Sequence, residues 1–471
     1  MDNALALFSG ATEQGRWQAW RGVAEVHRKR GEQDSAREAF GRLLAGDPAD
    51  DDVRLEYALL CSWSGRYDEA EAELRRLEEQ AEDLELRERA RRARADNAAW
   101  SGRHHEAWRS YREELQLRPD DTEALIGLAE LELWKGRAGQ ARQHFLQALE
   151  RQPSSDRARD GLAEADSLLA PEFLFQLQFL HDNSGWNRFK LLTGAEFAPD
   201  ATAYPGWRMF LGTEYAAFED GSGADLERDS IVTRQILRPD PFTRVHLDFE
   251  FGDHRDETTV RGGVEAQHEY AADIYLWGGW RHDDFINAYA PMPFDRYNQA
   301  LAVDLARGDV VQADTLQAGG AYDPAEGWGG LGNLMVGTID DGNARNEAYL
   351  QGHHRTREGS QSVTWRGFFH WMDYREPSPL YYSPASRDGI GGGWRWERLE
   401  QAWTAFADLS AFWESATLDG LGWQAGAGWS TEWEPGAAAG LEVHYLSSDS
   451  GRTGDARYSS WAVLVHITYD F

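Results

Sequence analysis

A single cysteine, Cys61, stands in 471 residues, so the chain can form no intramolecular disulfide. In its helical surroundings it reads as a small core residue. Long apolar runs are missing too. Nothing approaches the roughly 18 consecutive apolar residues of a transmembrane helix, and mean hydropathy is −0.64. Membrane β-strands stay open, because their alternating residues average out as polar. Basic residues are scarce: 48 Lys and Arg face 80 Asp and Glu, for a formal charge of −32. Such a chain disfavours nucleic acid and anionic surfaces and favours a cationic partner. The opening MDNALALFSG has no basic segment leading into an apolar one, so no signal peptide is visible. If the protein is secreted, this is a mature or truncated form. No Gly-rich loop with a following Lys marks a phosphate site, and no cofactor is implied.

Two patterns fill the chain. The first is a 34-residue period. Gly31 to Gly65 and Gly102 to Gly136 are each 34 residues apart, and Gly65 to Gly102 is 37, a three-residue insertion. Pro48, Pro119 and Pro153 each follow a marker glycine by 17. Small and aromatic residues recur around the glycines: Trp20, Ala24, Ala36 and Phe40, then Ala95, Ala107 and Tyr111, then Leu125, Ala129, Ala141 and Phe145. The second unit is weaker, with Leu74 at the aromatic position. Period and residue type together resemble the tetratricopeptide repeat, a helix pair that stacks into a solenoid. Residues 1–170 are therefore expected to be a helical domain of about four repeats, with Asp156–Leu169 as a capping helix. Trp63, Trp100 and Trp134 each stand two residues before their glycine. They either line a partner-binding groove or pack between repeats.

The second pattern starts at residue 171 and has period two. Phe173, Phe175, Leu177 and Phe179 alternate with Gln176 and Gln178. Val245, Leu247, Phe249 and Phe251 alternate with Arg244, His246, Asp248 and Glu250. In the last stretch Trp461, Val463, Val465, Ile467, Tyr469 and Phe471 share one face. An apolar, aromatic face running to the terminus suits a strand that closes a barrel in lipid. Full charges on the opposite rows suit a wet lumen better than a sandwich core. A literal reading finds roughly 17 strands, and bacterial barrels have even counts. Tyr297–Arg307 is the weakest and also reads as a short amphipathic helix. Without it, 171–471 is expected to be an all-β, antiparallel transmembrane barrel of about 16 strands. Long connections then fall on one side (Glu219–Ser230, Asp283–Gln312, Tyr374–Asp388, Ser447–Ala456) and shorter ones such as Arg238–Pro241 on the other.

Residues 171–471 hold 22 basic and 45 acidic residues, net −23; the repeats hold 26 and 35, net −9. Alternation points Glu214, Asp248, Glu250, Glu265, Asp408, Glu414, Glu432 and Glu442 inward. Arg188, Lys190, Arg208, Arg244, Arg261 and Arg366 also point inward, so the wall is mixed. The acidic surplus suggests an electronegative conduit for a cationic polymer; it also serves to keep loops soluble. In the proline-rich stretch Tyr374–Asp388, Tyr381 and Tyr382 are placed to stack on sugar or to constrict the pore. Ser410, Ser430, His246, His370, His444 and His466 are the residues an outer-membrane hydrolase would need. No serine has a distinctive motif, so no enzyme is expected. His353 and His354 point apart on a strand and make no metal site.

Tetratricopeptide repeats running into a barrel of this kind, with a terminal Phe471, resemble the outer-membrane exporters of exopolysaccharides, which serve the Pel, poly-N-acetylglucosamine and cellulose systems. The resemblance implies repeats in the periplasm, a polysaccharide cargo, a periplasmic polysaccharide-modifying enzyme docked on the repeats and an outer-membrane lipoprotein ring. The acidic barrel favours a cationic, partly deacetylated cargo, with Pel first among the systems. Four repeats are fewer than these proteins carry, which implies a C-terminal part. The alternatives are a soluble repeat scaffold with an all-β domain, or an outer-membrane lipid-modifying enzyme. Replacing Phe471 with a polar residue is expected to lower the yield of assembled barrel, read by heat-modifiable gel mobility, and to leave the conductance of assembled pores unchanged.

Overall fold

The computed structural model describes residues 19–470 except 183–184, 186, 220–224, 255–256, 285–302, 305–308, 311, 377–385, 401, 416–419, 435–436 and 449–457. The chain forms two compact units that part near residue 165.

In the first unit the described helices are Ala19–Lys29, Gln33–Gly46, Asp51–Trp63, Tyr67–Gln80, Leu84–Trp100, His104–Leu117, Thr122–Trp134 and Ala138–Arg151, and Asp156–Leu169 follows. The marker glycines explain the period. Gly31, Gly65, Gly102 and Gly136 all have φ between 72° and 82°, a conformation that costs glycine least. The turn then bends the next N–H back to the helix end: Arg66 donates to the Cys61 carbonyl and Arg103 to that of Ala98, both at 2.8 Å. Aspartates start the next helices. Asp50, Asp83 and Asp121 accept from the backbone N–H of Val53, Glu85 and Ala124 at 3.0, 2.9 and 3.1 Å. The three-residue insertion is absorbed as length: Leu84–Trp100 has 17 residues where Asp51–Trp63 and Thr122–Trp134 have 13, about one more turn.

Small residues permit close helix contact. Ala24, Ala36, Ala58, Ala70, Ala107, Ala129 and Ala141 are fully buried, and Phe40, Leu74, Tyr111 and Phe145 fill the spaces beside them. Leu74 thus does the work of the aromatic residue in the second pair. Tyr111 carries a polar group into this core, and its hydroxyl donates to Asp96 Oδ1 at 2.6 Å. Arg157 makes two 2.6 Å bonds to Glu130 and lies 4.0 Å from Asp96. Burial pushes the Asp96 carboxyl up to about 6, against the pull of the Tyr111 hydroxyl and Arg157.

In the second unit, sixteen antiparallel strands form a closed barrel, from Glu172–Asp182 to Tyr458–Asp470. Each pairs with the barrel strand before and after it, and the last pairs with the first, Phe173 opposite Tyr469 and Leu180 opposite Ala462. The connection after Ile274–Asp284 contains a separate two-residue ribbon, Val303–Asp304 with Asp309–Val310. Within Tyr297–Arg307, Val303–Asp304 belongs to this ribbon and not to the barrel; the other residues lie outside the described ones. The longer connections after Asp284, Tyr374 and Ser448 all fall at one end, and the two-residue ones 241–242, 272–273 and 359–360 at the other, which also carries the nine-residue connection 198–206. One expected loop is shorter than its sequence suggests, because strand Asp225–Asp240 begins inside Glu219–Ser230.

Alternation sorts the two faces. Ile231, Leu334 and Leu421 lie on outward rows at 57, 64 and 65% exposure, which only an apolar surrounding rewards. Trp280, Trp328, Trp365, Trp413, Trp423, Trp429 and Trp461 are exposed on the same face. The architecture is that of a membrane-spanning barrel.

One titration in the repeats has a definite sign. The Asp96 carboxyl is raised from 3.8 to about 6, so it favours folding fully below about pH 3.8 and loses that contribution as pH rises through 6. Its side chain keeps 26% exposure, which holds the effect to about 2 kcal/mol. Asp96→Asn is expected to stabilise the repeats near neutral pH and flatten this part of their pH dependence, as read by thermal loss of helical circular dichroism.

Candidate lumen site

Inward rows of the barrel carry an ordered ladder of charge. Lys190 Nζ lies 3.1 Å from Glu214 Oε1. Arg228 stands between Glu214 and Glu250 at 3.5 and 3.7 Å. Arg261 pairs with Glu250 and lies 3.9 Å from Asp283. Arg281 links Asp283 and Asp248 at 3.4 and 2.8 Å. The ladder crosses six adjacent strands, Asn187–Phe197 through Ile274–Asp284, with alternating sign. Its middle is deep, with Arg228 3% and Arg261 2% exposed, and its far end at Arg281 is more open. Opposite signs on neighbouring strands satisfy each other where lone buried charges would be costly.

Across the barrel a second set follows the same rule. Glu347 accepts from Arg345 at 2.5 Å and contacts His370 Nε2 at 2.9 Å. Arg387 pairs with Glu414. Asp408 lies between Arg366 and Arg395 at 3.9 and 3.6 Å. Glu442 contacts His444 at 3.3 Å. Glu432 sits at a strand end and is exposed. Glu265 accepts from Gln317 Nε2 at 2.7 Å.

All eight acidic residues expected inside thus fall on inward rows, as do the six basic ones. The structure adds how closely the two signs are matched. The ladder is self-neutralising, and much of the acidic surplus stands off it. Glu219, Asp229, Asp253, Asp284, Asp340, Asp341, Asp373 and Asp388 lie at or near the end that carries the longer connections. Tyr381, Tyr382 and Phe471 lie outside the described residues.

Inward rings lie against glycine. A β-carbon at Gly391, Gly422 or Gly428 would overlap the rings of Phe368, Phe412 or Phe406. Each ring is pressed onto the backbone of the next strand. Arg395 covers the Phe406 ring at 4.1 Å, so guanidinium groups form part of the inner surface.

The serine and histidine positions assemble no nucleophile pair. Ser410 accepts from Arg366 Nη2 at 2.8 Å, and Ser430 bonds Thr404 at 2.6 Å. His353 faces inward, 3.1 Å from Asp323; His354 faces outward with its ring 4.8 Å from that of Trp328.

On the repeats, Trp63 and Trp134 are 45 and 49% exposed, and Trp100 is half-buried. Exposure of the first two argues against a purely internal packing role. His104 lies 6.4 Å from Trp134, ring to ring.

Sequence reasoning missed Arg228, Arg281, Arg387 and Arg395 as ladder members, and it missed Trp277. Parity was the available signal for each: once one exposed residue fixes a strand's outward row, every second residue is inward.

The tetratricopeptide repeat family pattern matches residues 27–96 and 101–165. These helix pairs are tetratricopeptide repeats. No curated protein matches the chain. Among solved structures, a bacterial polysaccharide outer membrane secretin matches 64% of this chain and 99% of its own, at 16% identity and TM-score 0.52. This is a likeness of fold. An outer membrane protein of Vibrio cholerae, OmpT lacking loop L8, covers 64% of this chain and 97% of its own, at 11% identity and TM-score 0.34. YrrB, a repeat protein described with an unusual peptide-binding site, covers 34% of this chain and 81% of its own, at 20% identity and TM-score 0.27.

Arg261→Ala strips the shared cation from Glu250 and Asp283. It is expected to destabilise the barrel by about 3 kcal/mol, read as a lower midpoint of heat-modifiable mobility. Arg244→Ala, at an exposed inward position bonded to Gln267, is expected to cost less than about 1 kcal/mol.

Proposed function

We propose that this chain is an outer-membrane porin that exports an exopolysaccharide. The observation that carries the reading is the closed sixteen-strand barrel with an apolar exterior and a polar, ion-paired interior, in one chain with tetratricopeptide repeats. Its fold likeness to a polysaccharide secretin supports the same cargo class. A hydrated polymer needs a wall rich in hydrogen-bonding groups and free of lone buried charge, and the ladder supplies both.

The preferred cargo is cationic, a partly deacetylated chain. The support is the net −23 of residues 171–471: with the ladder neutralised, the surplus remains at strand ends and connections, where it raises the local concentration of a polycation. The repeats face the periplasm in this reading. Their exposed Trp63 and Trp134, with Trp100 between them in sequence, form the docking face for a polysaccharide-modifying enzyme, and a lipoprotein ring completes the assembly. The barrel transports and does no chemistry.

Single-channel recording on the purified full chain in a planar bilayer tests the cargo. Cation preference and concentration-dependent block by β-1,4-glucosamine oligomers are expected. Anion preference, or a channel indifferent to these oligomers, overturns the reading.

A further inference from the structure

One tryptophan breaks the pattern of the barrel. Among the tryptophans of the barrel strands with described side chains, all but Trp277 lie on outward rows. Trp277 is on the inward row of Ile274–Asp284, with Tyr275, Arg281 and Asp283, whereas Leu276 and Trp280 on the alternate row are 49 and 43% exposed. Tryptophan at a membrane interface is ordinary; a partly buried tryptophan on an inward row needs another reason.

Its setting holds the ring flat. A β-carbon at Gly319, the register partner of Trp277 on the next strand, would overlap the six-membered part of the indole. Trp277 Nε1 donates to Asn333 Oδ1 at 2.9 Å, and Asn333 is the register partner of Gly319 one strand further on. The indole therefore spans Gly319 and is tied at its far edge. One face lies on the wall at Gly319, and the side chain is only partly buried. On the opposite side Gln267 is its register partner.

Glu265 stands diagonally across from the ring, two residues along its strand from Gln267 and opposite Gly279. That places its β-carbon roughly 7 Å from that of Trp277. Glu214, Asp248, Glu250, Asp408 and Glu414 each pair with an Arg or Lys, whereas Glu265 has no Arg or Lys ion pair among the described residues and faces His246 as its register partner. Its one side-chain bond comes from the neutral Gln317 amide. Its carboxylate has no guanidinium or ammonium partner among the described residues and stands one diagonal from the Trp277 ring.

We infer that Trp277 is the stacking platform of a sugar subsite inside the lumen, with Glu265 as the acceptor for the sugar's amine. The assignment rests on the export reading above. A hexopyranose ring has an apolar C–H face that matches a flat indole, and its polar edge needs convergent hydrogen-bonding groups. Gln267, Gln317 and Glu265 supply them. The carboxylate selects an amino sugar over its N-acetylated or hydroxylated counterpart. Trp277 lies three residues from the start of its strand, next to the tight turn 272–273, so the subsite is close to the short-turn mouth of the barrel.

The test is block of single channels of the 471-residue chain by two probes, a β-1,4-glucosamine hexamer and its N-acetylated form. Trp277→Ala is expected to weaken block by both about tenfold, and Trp277→Phe to restore most of it. Glu265→Gln is expected to weaken block by the glucosamine hexamer about fivefold and to leave the N-acetylated one unchanged. Unblocked conductance and heat-modifiability, read for every variant, establish that the barrel has assembled. If neither hexamer blocks the wild type, the export reading falls and the subsite with it. If the wild type is blocked and Trp277→Ala is blocked equally well, the export reading stands and the subsite is wrong.

Discussion

Backbone hydrogen bonding in hydrocarbon is the constraint on which the barrel depends. No water is present there to satisfy a free N–H or C=O, so a sheet is stable only without edges. The pairing of Glu172–Asp182 with Tyr458–Asp470 removes the last edge. Once the sheet is closed, alternation divides every strand between two solvents. Leu421, Leu334 and Ile231 face outward because only lipid rewards them; Arg228, Arg261 and Glu214 face inward because only each other's charge makes their burial tolerable. The charge ladder is thus a consequence of closure.

The repeats solve a different problem with different residues. A helix pair cannot bury its own apolar face, so each pair borrows its neighbour. Glycine at positive φ, aspartate at the helix start and alanine at the contacts recur because the same joint is built each time. The period tolerated three extra residues between Gly65 and Gly102 because they extend a helix and leave the joint intact.

This difference explains what was legible in the sequence. The repeat joints are local, so Gly31, Gly65, Gly102 and Gly136 announced themselves, and Leu74 could be recognised as a stand-in for an aromatic residue. The strand faces were legible for the same reason: alternation is a property of neighbours in the chain. Glu250 could be placed inside the barrel from Phe249 and Phe251 alone. Its bond to Arg261 could not, because cross-strand register depends on the turns and bulges between the strands. Trp277 was hidden in a third way. In the run Ile274–Asp284 the aromatic residues fall on both rows, and the inward one stands out only when all the strands are seen together.

The ladder also bears on how a long chain moves. Each carboxylate and guanidinium in it already holds a partner, so a passing hydroxyl can only exchange one hydrogen bond for another of similar strength. For the proposed polymer the free-energy profile along such a wall is shallow: no rung grips it, and none repels it. In the export reading, a long polymer would stall if every unit it carried met even a modest well, because the wells would act on many units at once. Mutual neutralisation makes the wall a lubricant. Friction is then set by the few positions left unpaired, and the rate of passage by whatever pushes or pulls at the ends.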